Sequence, residues 1–169
     1  MIWQIIYKVK FEKGGAVLSI QLVIFELDDR EYGIDVSAVN GILRARKFQI
    51  LSLPSSDKTI EGMINLRGNV NYIFNLRNKF DLEEKEMSDE SKFIMLNANN
   101  STIGYIVDEV TDIVKLNDVQ IQSAPNFICT GEDNYIIGIG KLDDRMIIIL
   151  DPEKLFSAEF VNLQESVSN

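Results

Sequence analysis

"EGMINLRGNVNYIFNLRNKF", residues 61–80, is the stretch on which the reading of this chain turns. Apolar and polar residues alternate into Asn-Leu-Arg-Gly, an apolar run resumes, and Asn-Leu-Arg returns at residues 75–77. Alternation sends successive side chains to opposite faces of a strand. Ile64 and Leu66 are therefore expected to face a core, with Met63, Asn65 and Arg67 on the solvent side. Gly68 and Asn69 are turn formers between two strands. Arg67 is thus presented rather than buried. Asn75 precedes "LRNKF", where its side-chain oxygen suits the cap of a short helical turn.

The same grammar runs outward from this hairpin. "LVIFEL", "EYGIDV", "KFIMLN", "TIGYIV", "YIIGIGKL" and "RMIIIL" are short β-type runs closed by polar turns. "LVIF" and "MIIIL" are apolar throughout and read as central strands covered on both faces. Val36, Val39, Ile42 and Leu43, and again Val107, Val110, Ile113 and Val114, have three- and four-residue spacing, which predicts two helical segments. "DPEKLF" predicts a capped turn, with Asp151 accepting from free amides and Pro152 at the first helical position.

These pieces occur twice. Gly33, Val36, Val39, Ile42, Ile50 and Pro54 recur 71 residues later as Gly104, Val107, Val110, Ile113, Ile121 and Pro125. Gly62, Leu66, Val70, Ile73, Asn75 and Phe80 recur 76 residues later as Gly138, Leu142, Met146, Ile149, Asp151 and Phe156. Two copies of one supersecondary unit are implied, the second carrying an insertion. Two small β-barrels packed together satisfy this pattern, because closure removes exposed sheet edges. The acidic run "DLEEKEMSDES", residues 81–91, reads as the crossing between copies, and residues 157–169 as a polar tail.

Composition narrows the chemistry. The 169 residues suit one compact domain or two small packed ones, and 46% apolar with 25% charged residues is an ordinary globular balance. A net charge of -9 opposes binding to a phosphate backbone. The N-terminal "MIWQIIYKVKFEKGG" lacks the pattern of a signal peptide, and no apolar run reaches the roughly 20 residues of a membrane span. Cys129 stands alone, which fits a reducing, cytoplasmic setting. There is no histidine, so Ser/His/Asp triads and imidazole metal sites are excluded, and no P-loop is present. Gly138 and Gly140 in "GIGKL" sit inside a strand pattern, where close backbone approach or a bulge explains them better than a nucleotide fingerprint. Asp28 with Asp29, and Asp143 with Asp144, read as hairpin turns, while Asp108, Glu109 and Asp112 read as the solvated face of the second helical segment.

"GMINLRG" followed by "NVNYIFNLR", residues 62–77, resembles the hallmark of the CheW family of bacterial chemotaxis coupling proteins: Gly-x-x-Asn-Leu-Arg-Gly, an apolar strand, then Asp-Leu-Arg. The likeness continues through "FELDDREYGIDVSAVNGIL", "GYIVDEVTDIVKLNDVQIQSAP" and "YIIGIGKLDDRMIIILDPEKLF", covering residues 20–156. It implies a mainly β fold of two intertwined five-stranded SH3-like β-barrels with short helical segments. The first barrel is expected at about 20–80, an acidic crossover at 81–91 and the second barrel at about 92–156, after an N-terminal extension over 1–19.

The resemblance further implies an adaptor without catalysis, metal or cofactor. Its partners would be chemoreceptor cytoplasmic tips and the regulatory domain of the chemotaxis histidine kinase CheA, with no nucleic acid and no membrane insertion. It places Arg67, Gly104 and Gly138 toward the receptor and Val39 and Gly62 toward the kinase, with Asn65, Gly68, Asn75 and Asp151 as structural positions of the motifs. Plainer readings stand beside these: an intramolecular surface bridge for Arg67, core packing for Val39, and backbone conformation for the glycines. Three positions depart from the family pattern, with Tyr72 for proline, Asn75 for aspartate and Gly41 for glutamate. An alternative function is a small-ligand or enzymatic module using the cleft between the barrels.

Overall fold

The structure is a computed structural model, and it describes residues 19–54, 58–98, 101–124 and 135–155. β1 (Ser19–Leu27) and β2 (Arg30–Asp35) form a hairpin, and a 3₁₀ turn at Val36–Ala38 leads into β3 (Val39–Arg44). A second 3₁₀ turn, Ala45–Lys47, precedes the hairpin of β4 (Ile60–Leu66) and β5 (Asn69–Asn75), which ends in the helical turn Leu76–Lys79. The sequence of elements then starts again with β6 (Lys92–Ala98), β7 (Ser101–Val107), β8 (Glu109–Asn117) and a 3₁₀ turn at Asp118–Gln120. β9 (Ile121–Ser123), β10 (Ile136–Leu142) and β11 (Arg145–Leu150) follow, with a last helical turn at 152–155. Residues 1–18 of the expected N-terminal extension, the polar tail, Pro125, Cys129 and Phe156 lie outside the described residues, and Ser19 already belongs to β1.

Two sheets result. One has the order β8-β1-β2-β11-β10-β9 and the other β3-β6-β7-β5-β4. Each therefore takes its leading hairpin from the other sequence repeat: β1 and β2 stand among β8–β11, while β6 and β7 stand among β3–β5. The ranges 20–80 and 92–156 delimit the repeats in sequence, not the barrels in space. The parallel pairings that join the halves are equivalent, with Ile149 of β11 opposite Gly33 and Ile73 of β5 opposite Gly104. Repeat equivalence extends to register, since Leu27 pairs with Arg30 as Ala98 pairs with Ser101, and Leu66 with Asn69 as Leu142 with Arg145. The expectation of five strands per barrel holds in one sheet; the other gains β9, whose counterpart is the single bridge of Leu51 to Met63.

The two predicted helical segments are strands instead. Val39–Arg44 alternates strictly between partly buried and exposed positions. Its helix-like spacing comes from the 3₁₀ turn before it, which holds Val36, and from Ile42, an apolar residue that the strand places on its exposed side beside core-facing Val39 and Leu43. β3 has a register shift between Val39 and Gly41, and β8 has the equivalent irregularity opposite Ile24 and Phe25.

Three apolar clusters hold the fold. Ile20, Leu22, Ile24, Leu116, Ile147 and Ile149 fill the six-stranded barrel, and Ile64, Ile73, Phe93 and Met95 fill the five-stranded one. The third cluster lies between them and joins Phe25, Leu27, Tyr32 and Ile34 to Phe74, Leu76, Ile94 and Tyr105. Phe25 stacks on Tyr32 and Tyr32 on Phe80, with ring centroids 5.6 and 5.4 Å apart, and Phe80 meets Tyr135 at 6.2 Å. Burying each such side chain contributes about 1.5–3 kcal/mol, so the shared layer unites the barrels into one folding unit.

Candidate functional site

The hairpin that opened the sequence reading folds much as alternation requires. Ile64 is buried, Leu66 is partly buried against the same cluster, and Asn65 and Arg67 are exposed. The turn itself sits one residue earlier than Gly68–Asn69: Leu66 pairs with Asn69, and the two central residues are Arg67 and Gly68, at φ 51° and 84°. Two consecutive left-handed residues match the right-handed twist of a tight hairpin. Glycine enters that region freely, whereas a side chain there costs about 1–2 kcal/mol. The Asn65 side chain steadies the turn by accepting from the Gly68 amide at 2.9 Å. Arg67 makes no hydrogen bond or ion pair among the described residues, so its guanidinium is offered to the surroundings.

Beside it lies an open groove of about 800 Å³. Asn40, Gly41 and Leu43 of β3 form one wall, Leu66, Arg67, Val70 and Tyr72 of the β4–β5 hairpin another, and Thr102 and Ile103 of β7 a third. β3 is the edge of its sheet. Val70 is 63% exposed, and Ile42, further along β3, is also exposed. A Cβ on Gly41 would meet nothing within 4 Å, so the missing glutamate of the family pattern leaves free space here rather than a packing defect.

The five positions assigned to partners are distributed unevenly. Val39, Gly62, Arg67 and Gly104 belong to the five-stranded barrel, and Gly138 belongs to the six-stranded one. Val39 is partly buried against the inter-barrel cluster. Gly62 and Gly138 are repeat equivalents at equivalent irregularities, and both are buried. A Cβ on Gly62 would stand 2.4 Å from the Leu51 carbonyl oxygen, and one on Gly138 would stand 2.5 Å from that of Gln122. At Gly104 it would meet the Ile73 side chain at 2.6 Å. Close packing accounts for all three glycines.

Asn75 and Asp151 cap as expected. Asn75 Oδ1 accepts from the Arg77 amide at 2.9 Å, and Asp151 Oδ1 accepts from Glu153 at 2.9 Å. Asp28 and Asp29, at φ 54° and 60°, form the predicted turn, and Asp143 is likewise left-handed.

Asp108 is not part of a solvated helical face. It accepts from Arg77 Nη1 at 2.6 Å and from the Asp28 amide at 3.1 Å, with Lys85 3.6 Å away. Arg77 is 6% exposed; its Nη2 reaches Asp28 at 3.2 Å, and its Nε donates to the Glu83 carbonyl at 2.8 Å. One guanidinium thus ties the β1–β2 turn, the end of β7 and the acidic crossover together. Sequence reasoning passed over it because the two Asn-Leu-Arg triplets look alike. A signal was available, since the repeat equivalent of Arg77 is Glu153, and a charge present in one copy alone marks a role special to that copy. Among the described residues, no cluster of histidine, cysteine or carboxylates could hold a metal ion, and no helix is long and apolar enough to cross a membrane.

Comparison with known proteins places this architecture. The model of the CheW-like domain matches residues 21–160. The chemotaxis protein CheW of Klebsiella aerogenes is 35% identical over 92% of both chains, and that of Treponema pallidum is 33% identical over 82% of this chain and 83% of its own. Among solved structures, the scaffolding protein TtCheW from Thermoanaerobacter tengcongensis superposes with a TM-score of 0.73 at 29% identity, covering 82% of this chain and 93% of that one. With the family model matched over residues 21–160, a relative 35% identical across most of both chains and a solved structure of like fold, this chain belongs to the CheW-like domain family.

Proposed function

We propose that the protein is a chemotaxis adaptor that joins chemoreceptor cytoplasmic tips to the regulatory domain of the chemotaxis histidine kinase, acting by binding and without turnover. Relatives that are chemotaxis proteins and a scaffolding protein support the adaptor role. The observation that carries the partner assignment is the open groove of the five-stranded barrel, with Val70 exposed beside the edge strand β3. Exposed apolar surface next to an unpaired strand edge suits another β-barrel, which can pack there or extend the sheet. Val39 lies on that same strand, in keeping with its kinase-side role. Arg67 stands at the groove's rim, where a planar guanidinium can fork onto a carboxylate of a receptor helix.

Calorimetric titration with the regulatory domain of the kinase from the same genome tests this. The expected result is saturable binding of one equivalent by the wild type and at least tenfold weaker binding by Val70→Glu, a surface change that leaves the melting temperature nearly unaltered. Failure of the folded wild type to bind at high micromolar partner, across salt concentrations, would overturn the assignment.

A further inference from the structure

The exposed features of one barrel recur on the other. Val70 and Ile42 have exposed repeat equivalents in Met146 and Ile113, and β3 and β8 are both sheet edges. Beneath that surface the barrels differ. Asn71 of β5 is 7% exposed and pairs across the strands with Ile64 of the five-stranded barrel's core. Its repeat equivalent, Ile147, is a fully buried member of the six-stranded barrel's core. An amide thus stands in one copy where the other has a hydrocarbon.

That amide is half used. Asn71 Nδ2 donates to the Asn69 carbonyl of its own strand at 3.1 Å, and Oδ1 accepts from no group among the described residues. The bond made by Nδ2 fixes which end of the amide is the oxygen. A buried acceptor without a donor is costly, and an apolar residue such as that of the other copy would avoid the cost, so the amide calls for a donor from outside. Asn71 lines the open groove together with Leu43, Leu66, Met95 and Ile103, which supply apolar walls. None of the chain's 26 acidic residues lines the groove, whereas Arg67 does. A cationic donor would meet repulsion there without a counter-ion, which leaves a neutral O–H or N–H.

Two of the three departures from the family pattern fall in the same groove. Gly41 leaves free space in the wall formed by β3, and Tyr72 brings an aromatic residue where the pattern has proline. The third, Asn75, caps a helical turn outside it.

We propose that the floor of this groove is a pocket for an aromatic side chain tipped by a neutral donor, tyrosine or tryptophan, that projects from the docking partner and gives its O–H or N–H to Asn71 Oδ1. Such side chains join an apolar body to a polar tip, which is the combination that the walls and floor receive, and they are frequent anchors of protein interfaces. The backbone amides of an added strand would pair along the edge of β3 and leave an acceptor enclosed in the barrel unmet. The pocket rests on the docking role of the groove given above. It adds a chemical difference between two barrels whose edges are alike.

Two probes that differ only in the donor test the pocket in the whole chain: p-cresol, and p-methylanisole, in which the same ring carries a capped oxygen. NMR titration is expected to shift the side-chain amide resonances of Asn71, with p-cresol binding about fivefold more tightly than p-methylanisole, the ratio of one hydrogen bond. In Asn71→Val, followed at the backbone amide of Val70, that preference is expected to vanish with the melting temperature unaltered or raised. Calorimetric titration of the same variant with the kinase's regulatory domain is expected to show about tenfold weaker binding than the wild type. Equal binding of the two probes by the wild type, or none up to their solubility, overturns the proposal, and does so even if the variant fails to fold. A folded Asn71→Val that binds the regulatory domain like the wild type also overturns it; if the probes are nonetheless distinguished, the pocket takes a free phenol and not a partner's side chain. If the wild type does not bind the regulatory domain at all, the docking reading falls and the partner side chain with it, while a preference for p-cresol still assigns the pocket its ligand class.

Discussion

Two arginines in one repeated triplet meet opposite fates, and the backbone decides between them. Arg67 is the first central residue of a two-residue hairpin turn with φ 51°, while Arg77 follows an Asn cap and points inward. Alternation made the exposure of Arg67 legible from sequence. Its left-handed conformation was not, because arginine is no turn former and the Gly-Asn pair drew the turn one residue too far along. On the proposed receptor contact, the strain retained at this exposed tip serves binding rather than folding. Arg67→Gly is accordingly expected to keep or raise stability, by up to about 1 kcal/mol, since relief of the left-handed side chain outweighs the entropy of glycine in the unfolded chain. Arg67→Ala retains most of the strain and should melt within a degree or two of the wild type. Both should weaken capture by a chemoreceptor cytoplasmic fragment. Chemical denaturation of the three proteins alongside the capture assay separates the backbone effect from the loss of the guanidinium.

Within strands, glycines that look interchangeable in sequence carry different burdens. Gly62 and Gly41 lie on strands of the same five-stranded sheet, yet a Cβ on the first would stand 2.4 Å from a carbonyl oxygen and one on the second would face open space. Gly62 also adopts φ 153°, which side chains rarely enter. Backbone cannot give way as a flexible side chain can, so Gly62→Ala should cost about 1–3 kcal/mol, the range of overpacked sites. Gly41→Ala should stay within about 0.5 kcal/mol of the wild type. Thermal melts of the two variants check this, and the comparison bears on function: loss of kinase binding in Gly62→Ala alone would reflect a displaced β4, not a missing contact. Strand identity was legible from composition here, and the repeat paired Gly62 with Gly138, which sit at equivalent bulges although the resemblance assigned them to different partners. The helical reading of β3 and β8 failed for a local reason, because Ile42 and Ile113 are apolar yet exposed and, counted with the core-facing valines and leucine, complete a helical period.

At the scale of the molecule, internal repetition disclosed two barrels but not how they are threaded. An exchange of hairpins between repeats leaves no periodic trace, since each strand keeps its own apolar pattern whichever sheet receives it. What the exchange demands is a precise junction, and Arg77 supplies it by holding Asp28 from one sheet's hairpin, Asp108 at the end of β7 and the carbonyl of Glu83 in the crossover. Asp108 is 17% exposed, so the pair is largely desolvated. Removing one member of such a pair leaves the other charge buried without compensation, which costs about 3–5 kcal/mol. Arg77→Ala is therefore expected to lower stability by that amount, and Arg77→Lys to recover only part of it, because an ammonium cannot serve both aspartates and the carbonyl in the guanidinium's planar geometry. Urea denaturation measures the loss. A readout at the junction distinguishes this from a general weakening: amide exchange should accelerate first in residues 81–91 and in the β1–β2 turn, ahead of the β10–β11 hairpin, which takes no hydrogen bond from the Arg77 side chain among the described residues. Uniform acceleration through both barrels would instead mean that the shared apolar layer, and not this ion network, sets how they are joined.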